Sequence, residues 1–257
     1  MGKVIAVANQ KGGVGKTTTV INLAASLGVA EKRVLVVDID PQANATSGVG
    51  IGKVKPSVYD VLVRGLQLGG AVVKTSIPFL EIVPSEIDLV GAEIELVGIP
   101  RREFRLRDAL VDVRDEYDYI LVDCPPSLGL LTLNGLVAAD GVLIPIQGEY
   151  YAMEGVGKLL GTIRLVQDSL NPRLRIEGVL LTMYDTRLNL CKQVLEELRR
   201  YFGYKVYKTV IPRNVRLAEA PSFGKPVIMY DALSKGAQAY LELAKEVLSR
   251  DGKEGAR

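Results

Sequence analysis

The stretch Lys11-Gly12-Gly13-Val14-Gly15-Lys16-Thr17-Thr18 carries the most specific chemistry in the sequence. It follows the apolar run Val4 to Ala8 and precedes an apolar-periodic segment that opens Val20-Ile21-Asn22-Leu23. Strand, glycine-rich loop, lysine, hydroxyl and helix in that order form a phosphate-binding loop. The glycines let the backbone wrap a polyphosphate with its N–H groups turned inward, and the N-terminus of the following helix adds partial positive charge. Lys16 is then placed to reach the β and γ phosphates, Thr17 offers its hydroxyl to Mg²⁺, and Thr18 lies near the α phosphate. A dinucleotide-binding reading of Gly13-Val14-Gly15 is weaker, because that fingerprint wants a small residue where Thr18 stands and has no use for the lysine. A turn that is merely glycine-rich does not account for Gly15-Lys16-Thr17-Thr18 ahead of a helix. One departure stands out: Gln10 occupies the place of the motif's first glycine, and a second lysine, Lys11, sits inside the loop.

Two apolar runs end in carboxylates, Val34-Leu35-Val36-Val37-Asp38-Ile39-Asp40 and Ile120-Leu121-Val122-Asp123. The carboxyl ends of strands in open α/β sheets face the ligand crevice, so these aspartates are placed for chemistry. Composition removes the alternatives. The 257 residues include no histidine, which excludes a Ser-His-Asp triad, an imidazole base and His-ligated zinc. Cys124 and Cys191 are too few and too far apart for a disulfide scaffold or a four-thiolate metal site, and they suit a reducing cytoplasm.

These residues need a scaffold. With 48% hydrophobic and 24% charged residues the chain buries a substantial core and is no disordered polymer. Short β-rich runs at Lys3 to Ala8, Arg33 to Val37, Phe79 to Val83, Tyr119 to Val122, Gly141 to Ile146, Ile176 to Thr182 and Val206 to Ile211 read as strands. Helix-period segments at Lys16 to Leu27, Arg102 to Tyr117, Gly155 to Ser169, Leu190 to Tyr201 and Ser234 to Ser249 alternate with them. The pattern predicts a doubly wound, mostly parallel α/β sheet with helices on both faces, as one domain over 1–251 with a frayed tail over 252–257. No apolar run is long enough to span a bilayer, so no integral membrane association is expected. The net charge of +2 conceals an asymmetry: residues 1–150 carry 14 basic and 18 acidic side chains, and residues 151–257 carry 18 and 12.

The loop Lys11-Gly12-Gly13-Val14-Gly15-Lys16-Thr17 resembles the deviant Walker A loop of the P-loop family that contains the ParA/Soj partition ATPases, MinD, the nitrogenase iron protein and the arsenite-pump ATPase. The run Asp38-Ile39-Asp40-Pro41-Gln42 looks like the ParA/Soj version. The likeness continues through Gly91 to Leu96, Glu149 to Gly155, Thr182 to Asp185 and Ile211 to Ser222, nearly the whole chain. It implies an ATPase using ATP and Mg²⁺, with Lys11 reaching across a two-fold dimer onto the partner's ATP. Asp40 orients or deprotonates the attacking water, a role compatible with capping the turn before Pro41. Asp123 holds Mg²⁺ through water, Asp38 is structural, and Cys124 is a small buried residue. Pro212 and Asn214, with Met183, are candidates for the adenine pocket, although Pro212 equally suits a strand terminator.

The resemblance further implies an ATP-bound homodimer that binds double-stranded DNA without sequence preference on the nucleoid, through Arg187 and Arg216. A ParB-type centromere-binding partner then stimulates hydrolysis. Because the first strand begins at Lys3, the N-terminal helix-turn-helix of larger plasmid versions is not expected. Neither aromatic ladder nor recognition helix is evident, so DNA binding should be phosphate-dominated and salt-sensitive. The alternative is a MinD-like membrane-positioning ATPase. Its lipid-gripping helix would be Ala237 to Ser249, whose stripe Leu241, Leu243, Ala244, Val247 and Leu248 suits docking on the sheet as well as lipid and lacks a rich cationic face. An iron–sulfur role conflicts with the position of Cys124 inside the Asp123 segment, and a pure scaffold conflicts with the set Lys16, Thr17, Asp40 and Asp123.

Overall fold

The computed structural model describes residues 1–149 and 152–254. Among them, seven strands form a single sheet: β1 (Lys3–Val7), β2 (Val34–Asp38), β3 (Val73–Lys74), β4 (Leu80–Val83), β5 (Tyr119–Asp123), β6 (Gly141–Gln147) and β7 (Arg175–Thr182), in the order β3-β4-β2-β5-β1-β6-β7. All pairings are parallel except the short edge pair β3–β4. The central strands are apolar at nearly every position because both faces are covered. Val4, Ala6, Leu35, Val37, Ile120 and Val122 point into a core shared with Leu106, Leu131, Val156 and Leu159. Their alternates Ile5, Val7, Val34, Val36 and Leu121 point into the opposite core, with Val20, Leu23 and Leu27 of the helix Lys16–Val29. Tyr240, Leu243, Ala244 and Val247 of the helix Lys235–Glu254 complete that second core with Leu248 partly buried against it, so most of the stripe that suited lipid is packed inside the protein. No helix among the described residues is long and apolar enough to cross a membrane.

After β1 the chain crosses toward β2, and after β6 it crosses the opposite way toward β7, which makes the adjoining β1 and β6 ends the topological switch point. Register sharpens this. Asp123 pairs with Val7 on one side and with Asp38 on the other, so two carboxylates stand side by side at the rim beside the phosphate loop.

Two expected elements differ. Val206 to Ile211 is not a continuous strand: it follows β7 through isolated bridges at Val206 and, just beyond, at Pro212, with the Tyr207 and Ile211 N–H groups donating to the Val179 and Leu181 carbonyls at 2.9 Å. The Lys208 and Thr209 N–H groups donate to the Glu246 carboxylate at 2.9 and 3.0 Å, so a helix side chain takes the place of a neighbouring strand. Arg102 to Tyr117 is helical only over Arg105–Leu110, with 3₁₀ turns at either side. There the Asn134 side chain accepts from Leu106 N and donates to the Arg102 carbonyl, diverting groups a continuous helix would pair internally. The final helix runs past Gly252 to Glu254, and 255–257 lie outside the described residues.

Glu246 also accepts from the Thr209 hydroxyl and pairs with Arg250 at 2.7 Å. Burial opposes its charge, but these donors prevail and hold the carboxyl below the usual range. Glu246→Ala should destabilise the fold by about 1–3 kcal/mol, read by thermal or urea unfolding. A depressed carboxyl contributes fully above its unfolded pKa and loses that contribution as pH falls through the folded one. The variant should therefore differ from the native protein at neutral pH and converge with it in acid. An unchanged midpoint at neutral pH would refute the clamp.

Candidate functional site

The phosphate loop is anchored by β6 and β7, the two strands on one side of β1. The Asn9 amide donates to the Pro145 carbonyl at 2.7 Å, and its side-chain oxygen accepts from Lys11 N at 3.0 Å. From β7 the Thr182 hydroxyl donates to the Val14 carbonyl at 2.8 Å. Gly13 (φ 73°) and Gly15 (φ 86°) occupy the left-handed region, and no atom would lie within 4 Å of a Cβ at Gly12 or Gly13. The space over the loop is therefore open for a ligand. Gly15 caps the helix Lys16–Val29 with no side-chain hydrogen bond, and its first turn contains no acidic residue, leaving N–H groups and the helix dipole to an anion.

Lys16 is only 7% exposed, and among the described residues its ammonium makes just a long 3.4 Å contact to the Lys11 carbonyl. Burial lowers its pKa, while Asp123 and Asp40 act to keep it charged. The two side-by-side carboxylates differ in kind. Asp38 accepts from Thr46 N and Oγ1 at 2.9 and 2.7 Å and from Asp40 N at 3.1 Å. Its carboxyl is pushed up to about 6, first by burial. Asp123 is equally buried, yet among the described residues neither of its oxygens has a hydrogen-bond partner. Burial and the adjoining Asp38 hold it well above the usual carboxylate range, and the nearby Thr17 hydroxyl favours the charged form without completing a hydrogen bond. A buried, unpartnered carboxylate beside a hydroxyl and an anion-binding loop is an oxygen donor set of the kind Mg²⁺ takes. The residues present fit the ion.

Asp40 is 7% exposed and stands beyond β2. Its carboxylate accepts from Gln42 N at 2.9 Å, and its carbonyl accepts from the Ser85 hydroxyl at 2.7 Å. Ser85 N in turn donates to the Thr46 hydroxyl at 2.9 Å. Asp38, Thr46 and Ser85 thus form one buried network that fixes the Asp40 backbone. Sequence inspection missed Thr46 and Ser85, since nothing local marks a serine and a threonine this distant in the chain as neighbours. It also missed Asn9 and Thr182, for which adjacency to strand ends was the available signal.

Met183, Pro212 and Asn214 come together beside Gly15, Thr18 and Tyr240 around a cavity of about 280 Å³. Met183 is held at φ 51°, and the Asn214 side-chain oxygen is buried without a partner. The cavity adjoins the phosphate loop and offers an unpartnered acceptor, the kind of environment a base with an exocyclic amine fills. Lys11 is paired within its own chain to Glu149, just ahead of Tyr150 and Tyr151, which lie outside the described residues. Arg187, in the turn after β7, is exposed and bound by Asp185, and Arg216 is shared between Glu219 and Asp231 at 2.8 and 3.3 Å. Both arginines have surface positions but must exchange carboxylates for any phosphate. Cys124 is wholly buried, its thiol pKa pushed up by burial.

Residues 2–176 match the AAA_31 family, described as an AAA domain. The sporulation initiation inhibitor protein Soj of Bacillus subtilis (strain 168) is 61% identical over 249 residues, covering 96% of this chain and 98% of that protein. The chromosome partitioning protein ParA of Myxococcus xanthus (strain DK1622) is 56% identical over 253 residues, covering 98% and 89%. Among solved structures, cobyrinic acid a,c-diamide synthase from Mycobacterium smegmatis with bound ADP and magnesium superposes with a TM-score of 0.86 at 41% identity, covering 99% of this chain and 97% of that one.

Proposed function

The chain belongs to the Soj/ParA family of chromosome-partitioning ATPases, and from that premise we propose that it drives DNA segregation through an ATP-dependent cycle of dimerisation and DNA binding. It is an ATPase, with ATP and Mg²⁺ as its nucleotide and metal. The observation that carries the assignment is the buried, unpartnered Asp123 carboxylate at the rim of the open glycine loop. The diamide synthase matches at lower identity, and its name describes a different reaction. The curated relatives at higher identity favour partition.

In this reading the loop amides and Lys16 bind the polyphosphate, while Met183, Pro212 and Asn214 receive the base. Thr17 and Asp123 hold Mg²⁺, which supplies charge neutralisation at the phosphates when bound. Asp40, held by Ser85 and Asp38, orients the attacking water and accepts its proton. Lys11 exchanges Glu149 for the nucleotide of a second copy. That pair is half exposed and worth about 0–1 kcal/mol, so it is easily given up.

Closing two copies over two nucleotides aligns two basic faces, and phosphate contacts then add up to a DNA-binding surface over the nucleoid. A ParB-type partner stimulates hydrolysis and release. DNA retention with ATP, ADP or no nucleotide across a salt series tests the cycle. Retention should require ATP and fall steeply with salt; retention independent of nucleotide would overturn it. Arg216→Ala and Arg187→Ala should each weaken DNA binding and lower the salt slope by roughly one per chain while dimerisation persists. Binding of ATP-loaded protein to liposomes in place of DNA would favour the membrane alternative.

A further inference from the structure

The helix Leu89–Glu95, continued by a 3₁₀ turn over Leu96–Gly98, has two apolar faces. One buries Leu89, Ala92 and Leu96 in the core. The other turns Val90, Ile94 and Val97 to solvent, with Ile87 immediately before it, and Ile94 is 79% exposed. The spacing 87, 90, 94, 97 is that of one helical stripe. Gly91 and Gly98 lie along it, and neither has neighbouring backbone near where its Cβ would be, so a second backbone can approach closely. The flanks along most of the ridge are acidic: Glu86 and Asp88 meet Lys55 at 3.5 and 3.2 Å, Glu86 also accepts from the Ser57 hydroxyl, and Glu95 accepts from the Tyr59 hydroxyl, while at the far end Arg102 donates to the Val97 carbonyl.

The buried side of the same segment is tied to the ATPase site at two points. Ser85, just ahead of the stripe, holds the Asp40 carbonyl. Glu93, on the helix, seats its carboxylate directly on Gly129: a Cβ there would lie 2.0 Å from Glu93 Oε1. That oxygen is buried without a partner at the N-terminus of the helix Leu130–Ala138, in the loop that continues Asp123. A shift of Leu89–Glu95 would therefore move both the Asp40 backbone and the segment carrying Asp123.

We propose that the ridge Ile87, Val90, Ile94 and Val97 is the docking site for a basic amphipathic helix of the partner that stimulates ATP hydrolysis, and that Glu93 transmits its arrival to the Asp123 loop. The apolar stripe sets the helical form of the occupant and the acidic flanks set its charge. The inference rests on the partner-stimulated cycle above.

The experiment titrates purified ParB-type partner into the full-length ATPase with ATP and DNA, measuring turnover and direct binding. Ile94→Glu, at an exposed position, should keep ATP affinity, basal turnover and ATP-dependent dimerisation. It should shift the half-maximal partner concentration upward by about tenfold or more. Asp88→Lys with Glu95→Lys should weaken binding most at low salt. Glu93→Ala should bind the partner with native affinity but lose most of the stimulation, a split that a simple contact residue would not give. Native half-maximal concentrations in Ile94→Glu would overturn the docking site while leaving the cycle intact. Loss of dimerisation in Ile94→Glu would overturn it in favour of a second copy covering the ridge. A native protein that never responds to the partner would overturn the cycle and the docking site together.

Discussion

Lys16→Ala should abolish ATP turnover and weaken ATP binding, with kcat/KM falling by about 10²–10³ or more. The lysine is nearly buried, and among the described residues its ammonium makes only one long contact, which leaves its charge available to a ligand. Removing it also takes from Asp40 and Asp123 the cation that offsets their charge, and an anionic polyphosphate would then be repelled. The fold should survive, because the helix Lys16–Val29 is fixed by Val20, Leu23 and Leu27 in the core. Binding of a fluorescent ATP analogue, alongside phosphate release, measures both effects. Unaltered affinity would remove Lys16 from the site.

The second large effect is expected at Asp40. Asp40→Ala should lower kcat by roughly 10²–10³ while ATP binding is retained, so that an ATP-loaded, DNA-bound dimer accumulates. The substitution also deletes the carboxylate that accepts from Gln42 N, a loss of about 1 kcal/mol confined to the turn. Its backbone position is kept by Ser85 and Asp38, which act through the Asp40 carbonyl and N–H and not through its side chain. Single-turnover phosphate release and size-exclusion chromatography with ATP distinguish trapping from loss of binding. Rapid turnover by the variant would show that another group handles the water.

Much of the candidate nucleotide site lies in contiguous residues. Gly13 and Gly15 take the positive φ that their type permits, and Lys16 and Thr17 follow at the helix start, so loop chemistry and loop shape share one short segment. The strand runs were legible for the same reason: a parallel sheet covered on both faces needs uninterrupted apolar residues. Val206 to Ile211 satisfied that pattern and still did not become a strand, since Glu246, on the final helix, claims two of its N–H groups.

The amino-acid order by itself determined the phosphate loop, the two carboxylate-ended strands and the absence of imidazole chemistry. Each depends on residue type within a few positions. Tertiary structure decided which carboxylate is free. Asp38 and Asp123 look alike at their strand ends, and register sets them side by side. Only the folded chain brings Thr46 onto Asp38 and, among the described residues, leaves the Asp123 oxygens without a hydrogen-bond partner. It also decided that Lys11 rests on Glu149 and that Glu93 meets Gly129. Hydrogen bonds and contacts between residues far apart in the chain are set by strand order and helix packing, which no local spacing encodes.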